Sequence, residues 1–382
     1  MAAVVWILGA GFSQSLGGPL MNNLLAPELA EDLAVTYDPA TFPKLFDQAA
    51  RCAHWLHNYG RKFELGEPEL EDAKWSWRKT IYTRDDRRAL LHDELSGERL
   101  WWDPEVYLSA LDSAAAHPDG TRAKRLQRAL EKFFEREKTV YHRAERPTIS
   151  QIAAAARRLF AGQTSSFVDA LDWDEELCAP YLRWAKELIG PQDYIITFNY
   201  DLVPEKIGEK TKKLVALLPN EKPSGQCPPV LKLHGSVDWM RTNTGVIARA
   251  SEHEALICDD NELAIATPGP GKLDVSKLLE PLWGMAENAL REAFAVILMG
   301  FRFPPADSHA RARLLGAISS NRMAGLSARI VLGHKSPDDA TRTQVLLRYA
   351  MERRQMGRPT TYIEPLLAED FFTVMERGQF GG

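Results

Sequence analysis

Five short apolar runs, each broken off by glycine or a polar cluster, constrain this chain more than any other feature. They are Val4–Leu8, Tyr194–Phe198 (YIITF), Val230–Leu233 (VLKL), Ala295–Met299 (AVILM) and Ile330–Leu332 (IVL). None shows the apolar–polar alternation of a strand with one wet face. Continuous runs of this length suit strands covered on both sides, as in a parallel sheet with crossover helices above and below. The pattern predicts an α/β fold built on a Rossmann-like parallel sheet.

About 180 residues separate the first run from the second, and their texture differs. LQRALEKFFEREKTVYHRAERP and SQIAAAARRLFAGQ carry apolar residues at helical spacing. DEELCAPYLRWAKELIG adds a third such stretch and stops at Gly190-Pro191, a helix-ending pair. A tryptophan cluster (Trp75, Trp77, Trp101, Trp102) lies in the middle. The expected organisation is a core from residues 1–40 and 190–340, a large helical insertion over 41–189, and a C-terminal segment, 341–382, packing on the core or on a partner. The stretch 121–148 holds nine Lys/Arg against four Asp/Glu, which reads as a solvated helix face.

Composition narrows the function classes. The net charge of −5 gives no electrostatic reason to expect direct nucleic-acid binding. Cys52, Cys178, Cys227 and Cys258 are scattered and form no CxxC, so neither a zinc site nor a disulfide framework is expected. The first apolar run is far shorter than the ~20 residues of a membrane span and leads straight into glycines. A soluble, reducing, cytoplasmic setting is the expectation.

The chemistry should sit where the runs end, because ligands of open α/β sheets bind outside the carboxyl ends of the strands. GAGFS (Gly9–Ser13) would let backbone amides approach phosphates and aim a helix N-terminus at them. The third glycine of the usual dinucleotide fingerprint is absent, with Gln14 in its place. Read without a ligand, the same glycines make a tight strand-to-helix turn. FNYD delivers Asn199, an amide with both donor and acceptor, and Asp201, a carboxylate or a helix cap. LHGS delivers His234 beside Gly235, and an unperturbed pKa of ~6.5 suits proton traffic near neutrality. MGFRFPPAD leads from a strand through two prolines to a helix expected near Asp307 or Ser308. VLGHK ends the fifth run in another glycine turn.

In this order, GAGFS, TFNYD, LHG, MGFRF and VLGHK resemble the sirtuin family over roughly residues 1–30 and 190–340. The resemblance implies NAD as the bound molecule, with Gly9, Ala10, Gly11, Phe12 and Ser13 at its phosphates and adjoining ribose. Pro19 would open the segment covering the nicotinamide end, and Gly235, Gly300, Phe301 and Asp307 would line the dinucleotide. Asn199, His234 and Asp201 would be the catalytic set. The chain departs from sirtuin deacylases in lacking the four-cysteine zinc module and in carrying GGPLMNN where they have GIPDFR. It is more similar to the bacterial sirtuin-like NADases of antiviral defence, which share GFS, FNYD, LHGS and the G-F-x-F-P-x-x-D stretch.

That likeness implies an NAD glycohydrolase without a metal, consuming NAD as substrate and acting in abortive infection. It further implies homo-oligomerisation or a separate sensor, such as a HerA-like ATPase, a short Argonaute or a nucleotide-sensing subunit. Two other classes stay open. One is an NAD-dependent deacylase or ADP-ribosyltransferase; the other is a non-catalytic nucleotide-sensing subunit.

Overall fold

The computed structural model describes residues 3–20, 24–25, 33–57, 104–136, 146–260, 262–265, 275, 277–304, 307–323, 325–334, 337–352 and 360–380. The four tryptophans of the insertion cluster lie outside these residues, as do Pro305, Ala306 and Lys335 of the later loops.

The strands are β1 (Ala3–Leu8), β2 (Tyr194–Thr197), β3 (Val215–Ala216), β4 (Pro229–Lys232), β5 (Gly235–Arg241), β6 (Ile247–Arg249), β7 (Leu263–Ile265), β8 (Ala293–Met299), β9 (Ser327–Val331) and β10 (Thr360–Glu364). Seven form one sheet in the order β10-β9-β8-β1-β2-β4-β3, with every neighbouring pair parallel. The protein is therefore α/β with a Rossmann-like parallel sheet. From β1 the chain lays β2 beside it, β3 at the edge and β4 between them, then crosses to β8 on the other side of β1 and builds outward through β9 and β10. The winding reverses at β1, so the crevice between the ends of β1 and β8 is the switch point where such sheets take ligands.

The apolar runs follow from burial on both faces. Val4, Trp6 and Leu8 enter one core with Trp184, Ile207, Phe371 and Phe380. Val5 and Ile7 enter another, under Trp283, Leu314 and Leu347 of the helices Glu280–Glu292, Ser308–Ser319 and Pro337–Glu352. Trp6 meets Trp184 and Phe380 edge-on at 5.6 and 5.4 Å, and Phe12 lies 5.2 Å from Trp184. Such aromatic pairs add about 0.5–1.5 kcal/mol each beyond their buried area.

The described part of the chain between β1 and β2 is helical, and its own core runs through Trp55, Tyr107, Phe133 and Phe160. The helix Ile149–Ser165 is its axis. Thr148 and Gln151 start it with a capping box. Its alanines, 153–156, let the helices Gln48–Trp55 and Pro104–Ala116 approach closely. The basic helix Thr121–Arg136 packs on the helix Pro104–Ala116. The stretch DEELCAPYLRWAKELIG forms the helix Ala179–Arg183 and then a π turn, Trp184–Leu188.

The apolar runs do not account for every strand. A second sheet, antiparallel in the order β6-β5-β7, follows β4. Residues after 340 complete the fold: β10 extends the main sheet, and the helix Ala368–Val374 packs Phe371 and Phe372 beneath β1.

Candidate functional site

The loop after β1 and the loop after β8 touch backbone to backbone, which is what their glycines permit. A Cβ at Gly9 would lie 2.6 Å from the Gly300 carbonyl oxygen, and one at Gly11 would lie 2.7 Å from Gly300 Cα. Gly300 has φ +65°, and its own Cβ would meet Gly11 Cα at 2.4 Å. The Gly9 amide donates to Met299 O at 3.0 Å. The helix that follows is short, Ala10–Ser13, and passes into a 3₁₀ turn, Gln14–Leu16, closed by left-handed Gly17. Gln14 stands where a longer helix would need a glycine for close packing on the strand, and here the helix has already ended. Ala10 and Pro19 are partly exposed. The ring of Phe12 is wholly buried among Tyr181, Trp184 and Phe372, so its contribution is to anchor the loop. The Tyr181 hydroxyl donates to Phe12 O at 2.9 Å from the same cluster.

Asn199 and His234 stand at equivalent levels. Thr197 of β2 is in register with Lys232 of β4, and each functional residue lies two positions further on. Asn199 Nδ2 donates to Gly9 O at 3.1 Å and to Ser13 Oγ at 3.2 Å. A carbonyl can only accept, so the nitrogen end of the amide must face Gly9. Both amide hydrogens are thereby engaged, and Oδ1 is the remaining hydrogen-bonding atom. Ser13 Oγ passes its own hydrogen to Asp201 Oδ2 at 2.9 Å, while Asp201 Oδ1 accepts from the Val203 amide at 3.1 Å. Ser13, which the resemblance assigned to the phosphates, is 1% exposed and joins Asn199 to Asp201. Burial raises the Asp201 carboxyl above its ordinary range. The positive charge of Lys232 and the hydrogen bond from Ser13 oppose that shift.

His234 sits past the end of β4, with Nε2 2.9 Å from Asp307 Oδ2. Asp307 also caps the helix Ser308–Ser319, accepting from the Ala310 amide at 3.2 Å. It thus stands beside the histidine. Gly235, at φ +83°, is required by the fold, since a Cβ there would fall 1.9 Å from Ala264 O. Phe198 meets the His234 ring edge-on at 4.9 Å and stacks on Phe301 at 4.4 Å. Tyr200 lies nearly parallel to the imidazole at 6.1 Å.

The structure thus brings Gly9, Ser13, Asn199 and Asp201 into one hydrogen-bonded set and places His234 Nε2 beside Asp307 Oδ2. The carboxyl ends of β2 and β4 hold the two sets at one level. Sequence reasoning missed Lys232, a fully buried lysine whose ammonium contacts the Tyr200–Asp201 turn. The signal was there: a cation inside the otherwise apolar run VLKL. Among the described residues no group of three His, Cys, Asp or Glu side chains is placed to hold a metal ion, and no helix is long and apolar enough to cross a membrane. Compared with known proteins, the chain matches no family model, and no curated protein matches its sequence.

Proposed function

We propose that this protein is an NAD glycohydrolase, cleaving the bond between nicotinamide and ribose to give nicotinamide and ADP-ribose. One observation carries the reading. An amide with both hydrogens engaged and a histidine beside a carboxylate stand at the same level of the carboxyl edge, on β2 and β4 beside the switch point of a parallel sheet.

In NAD the leaving group is already cationic, and the ribose carbon readily bears oxocarbenium character. The protein's task is to hold the sugar, tolerate positive charge at that carbon and admit water. The backbone of Gly9, Ala10 and Gly11 and the turn at Gly300 would receive the phosphates. Asn199 Oδ1 would accept a hydrogen bond from a ribose hydroxyl or from the attacking water. His234, with the Asp307 carboxylate beside its Nε2, would take up the proton, directly or through a ribose hydroxyl. General-base assistance of this kind contributes roughly 10²–10⁴-fold. Water adds its oxygen to the anomeric carbon as the bond to nicotinamide breaks, and its proton leaves through the histidine.

The setting we propose is antiviral defence, with an oligomer or a separate sensor restraining an otherwise toxic activity. Chromatography of NAD incubated with the protein, alone and with candidate partners, tests the reading. Nicotinamide should appear without any acylated peptide, and His234→Ala and Asn199→Ala should abolish its release with the fold intact by circular dichroism. A variant that still cleaves NAD at the wild-type rate overturns the assignment of the site. NAD that binds and is never consumed favours the sensing subunit instead.

A further inference from the structure

Lys232 is 0% exposed at the end of β4. Burying an ammonium is expensive unless all three hydrogens find acceptors. Here they do. Lys232 Nζ donates to Asp201 O at 2.6 Å, to Tyr200 O at 3.3 Å and to Glu205 Oε1 at 2.9 Å. Two of these acceptors are consecutive carbonyls of the turn that carries the candidate site. Tyr200 O also accepts from the Val237 amide of β5 at 3.2 Å, so the neighbouring strands β4 and β5 hold this turn from outside.

The clamp reaches Asn199 through a hydrogen-bond chain with a direction. Asn199 Nδ2 donates to Ser13 Oγ, and Ser13 Oγ donates to Asp201 Oδ2. The chain runs this way only while Asp201 is an acceptor, that is, an ionised carboxylate. Burial works against ionisation, and the Lys232 charge works for it. A protonated Asp201 would compete to donate to Ser13, and the serine hydrogen would lose its acceptor.

We propose that Lys232 is a positioning residue of the site. Its ammonium fixes the Tyr200–Asp201 turn and the direction of the chain from Asn199 through Ser13 to Asp201. It thereby supports the orientation that the Gly9 carbonyl imposes on the Asn199 amide, with Oδ1 left toward a ligand. The inference rests on the NAD-cleaving reading for its catalytic consequence, but not for the geometry it asserts.

The test uses the full chain with Lys232→Met and Glu205→Met combined, so that neither charge is buried alone. Lys232→Gln, which keeps two N–H donors on a shorter arm, is the second variant should the first not fold. Two readouts are taken. The first is the pair of side-chain amide proton resonances of Asn199, identified by their loss in Asn199→Asp. In the wild type they should exchange slowly with water, and in either Lys232 variant at least about tenfold faster, as expected when protein acceptors are lost. The second is NAD cleavage, where kcat should fall about hundredfold and KM stay within about threefold, the mark of lost positioning without lost binding. Unchanged amide exchange, or wild-type kcat in a folded variant, overturns the proposal. If the wild type never cleaves NAD, the glycohydrolase reading fails by itself, and the amide exchange alone decides the role of Lys232.

Discussion

Among the described residues, Asp307 meets two neighbours through different carboxylate oxygens. Oδ1 caps the helix Ser308–Ser319 and Oδ2 faces His234 Nε2. Asp307→Asn separates the two roles, because asparagine is as good a cap as aspartate but its amide cannot stabilise an imidazolium as a carboxylate does. Urea unfolding should shift by under about 0.5 kcal/mol, while nicotinamide release should fall by roughly 10²-fold, the low end for general-base assistance. An unfolding loss as large as that of a core substitution, with activity per folded molecule unchanged, would assign Asp307 to the helix alone. Asn199 and His234 were legible as candidates because each follows an apolar run that had to be a strand. The partners of Ser13 and Asp307 were not. They depend on the folded chain: sheet order makes β1 and β2 neighbours, while Asp307 reaches His234 only because the loop after β8 crosses the ends of β1 and β2.

Among the elements, legibility followed burial. β1, β2, β4, β8 and β9 are covered on both faces, so their sequences had to be continuously apolar, and they could be read. β10 is an edge strand with exposed Tyr362 and Ile363, and β3 has only two residues, so neither leaves that trace. β5 did leave one: Val237 and Trp239 alternate with Ser236 and Asp238, the period of a half-covered antiparallel strand. The glycines ending the first run were read as ligand-facing or as a tight turn, whereas the loops after the first and fourth runs also need their glycines against each other. Gly300→Ala should destabilise by at least about 3 kcal/mol, through left-handed strain and the clash with Gly11. Gly316→Ala, in open space on the helix Ser308–Ser319, should stabilise by about 1 kcal/mol. Urea midpoints at unchanged slope measure both, and a tolerated Gly300→Ala would mean that the two loops do not touch.

At the scale of the whole molecule, the insertion is fastened to the rest by polar groups as well as by its core. Glu252 accepts from Ser165 Oγ at 2.7 Å and from the Tyr37 hydroxyl. Lys44 and Arg158 grip the 258–260 turn through Cys258 O at 2.6 and 2.9 Å. Burial raises the Glu252 carboxyl above its ordinary value, against the hydrogen bonds that lower it. A carboxyl with a raised folded-state pKa binds protons more tightly in the native protein. Its contribution is fully present below the unfolded value of ~4.3 and is lost as pH rises through the folded one. Glu252→Gln keeps an acceptor for Tyr37 and Ser165 and removes the titration. The fall in melting temperature from pH 5 to pH 8 should therefore be shallower in this variant, and parallel curves would show that Glu252 is not a source of the pH dependence.

The central place of β1 also bears on biosynthesis. β1 emerges from the ribosome before either of its partners, because β2 begins at Tyr194 and β8 at Ala293. Gly9 must wait for the whole helical insertion before Asn199 reaches it, and longer still for Gly300 and for the carboxylate that orients His234. On the proposed reading, a chain still being translated holds no working site until Asp307 has left the exit tunnel. On the same reading, premature termination anywhere upstream would release fragments without a working site.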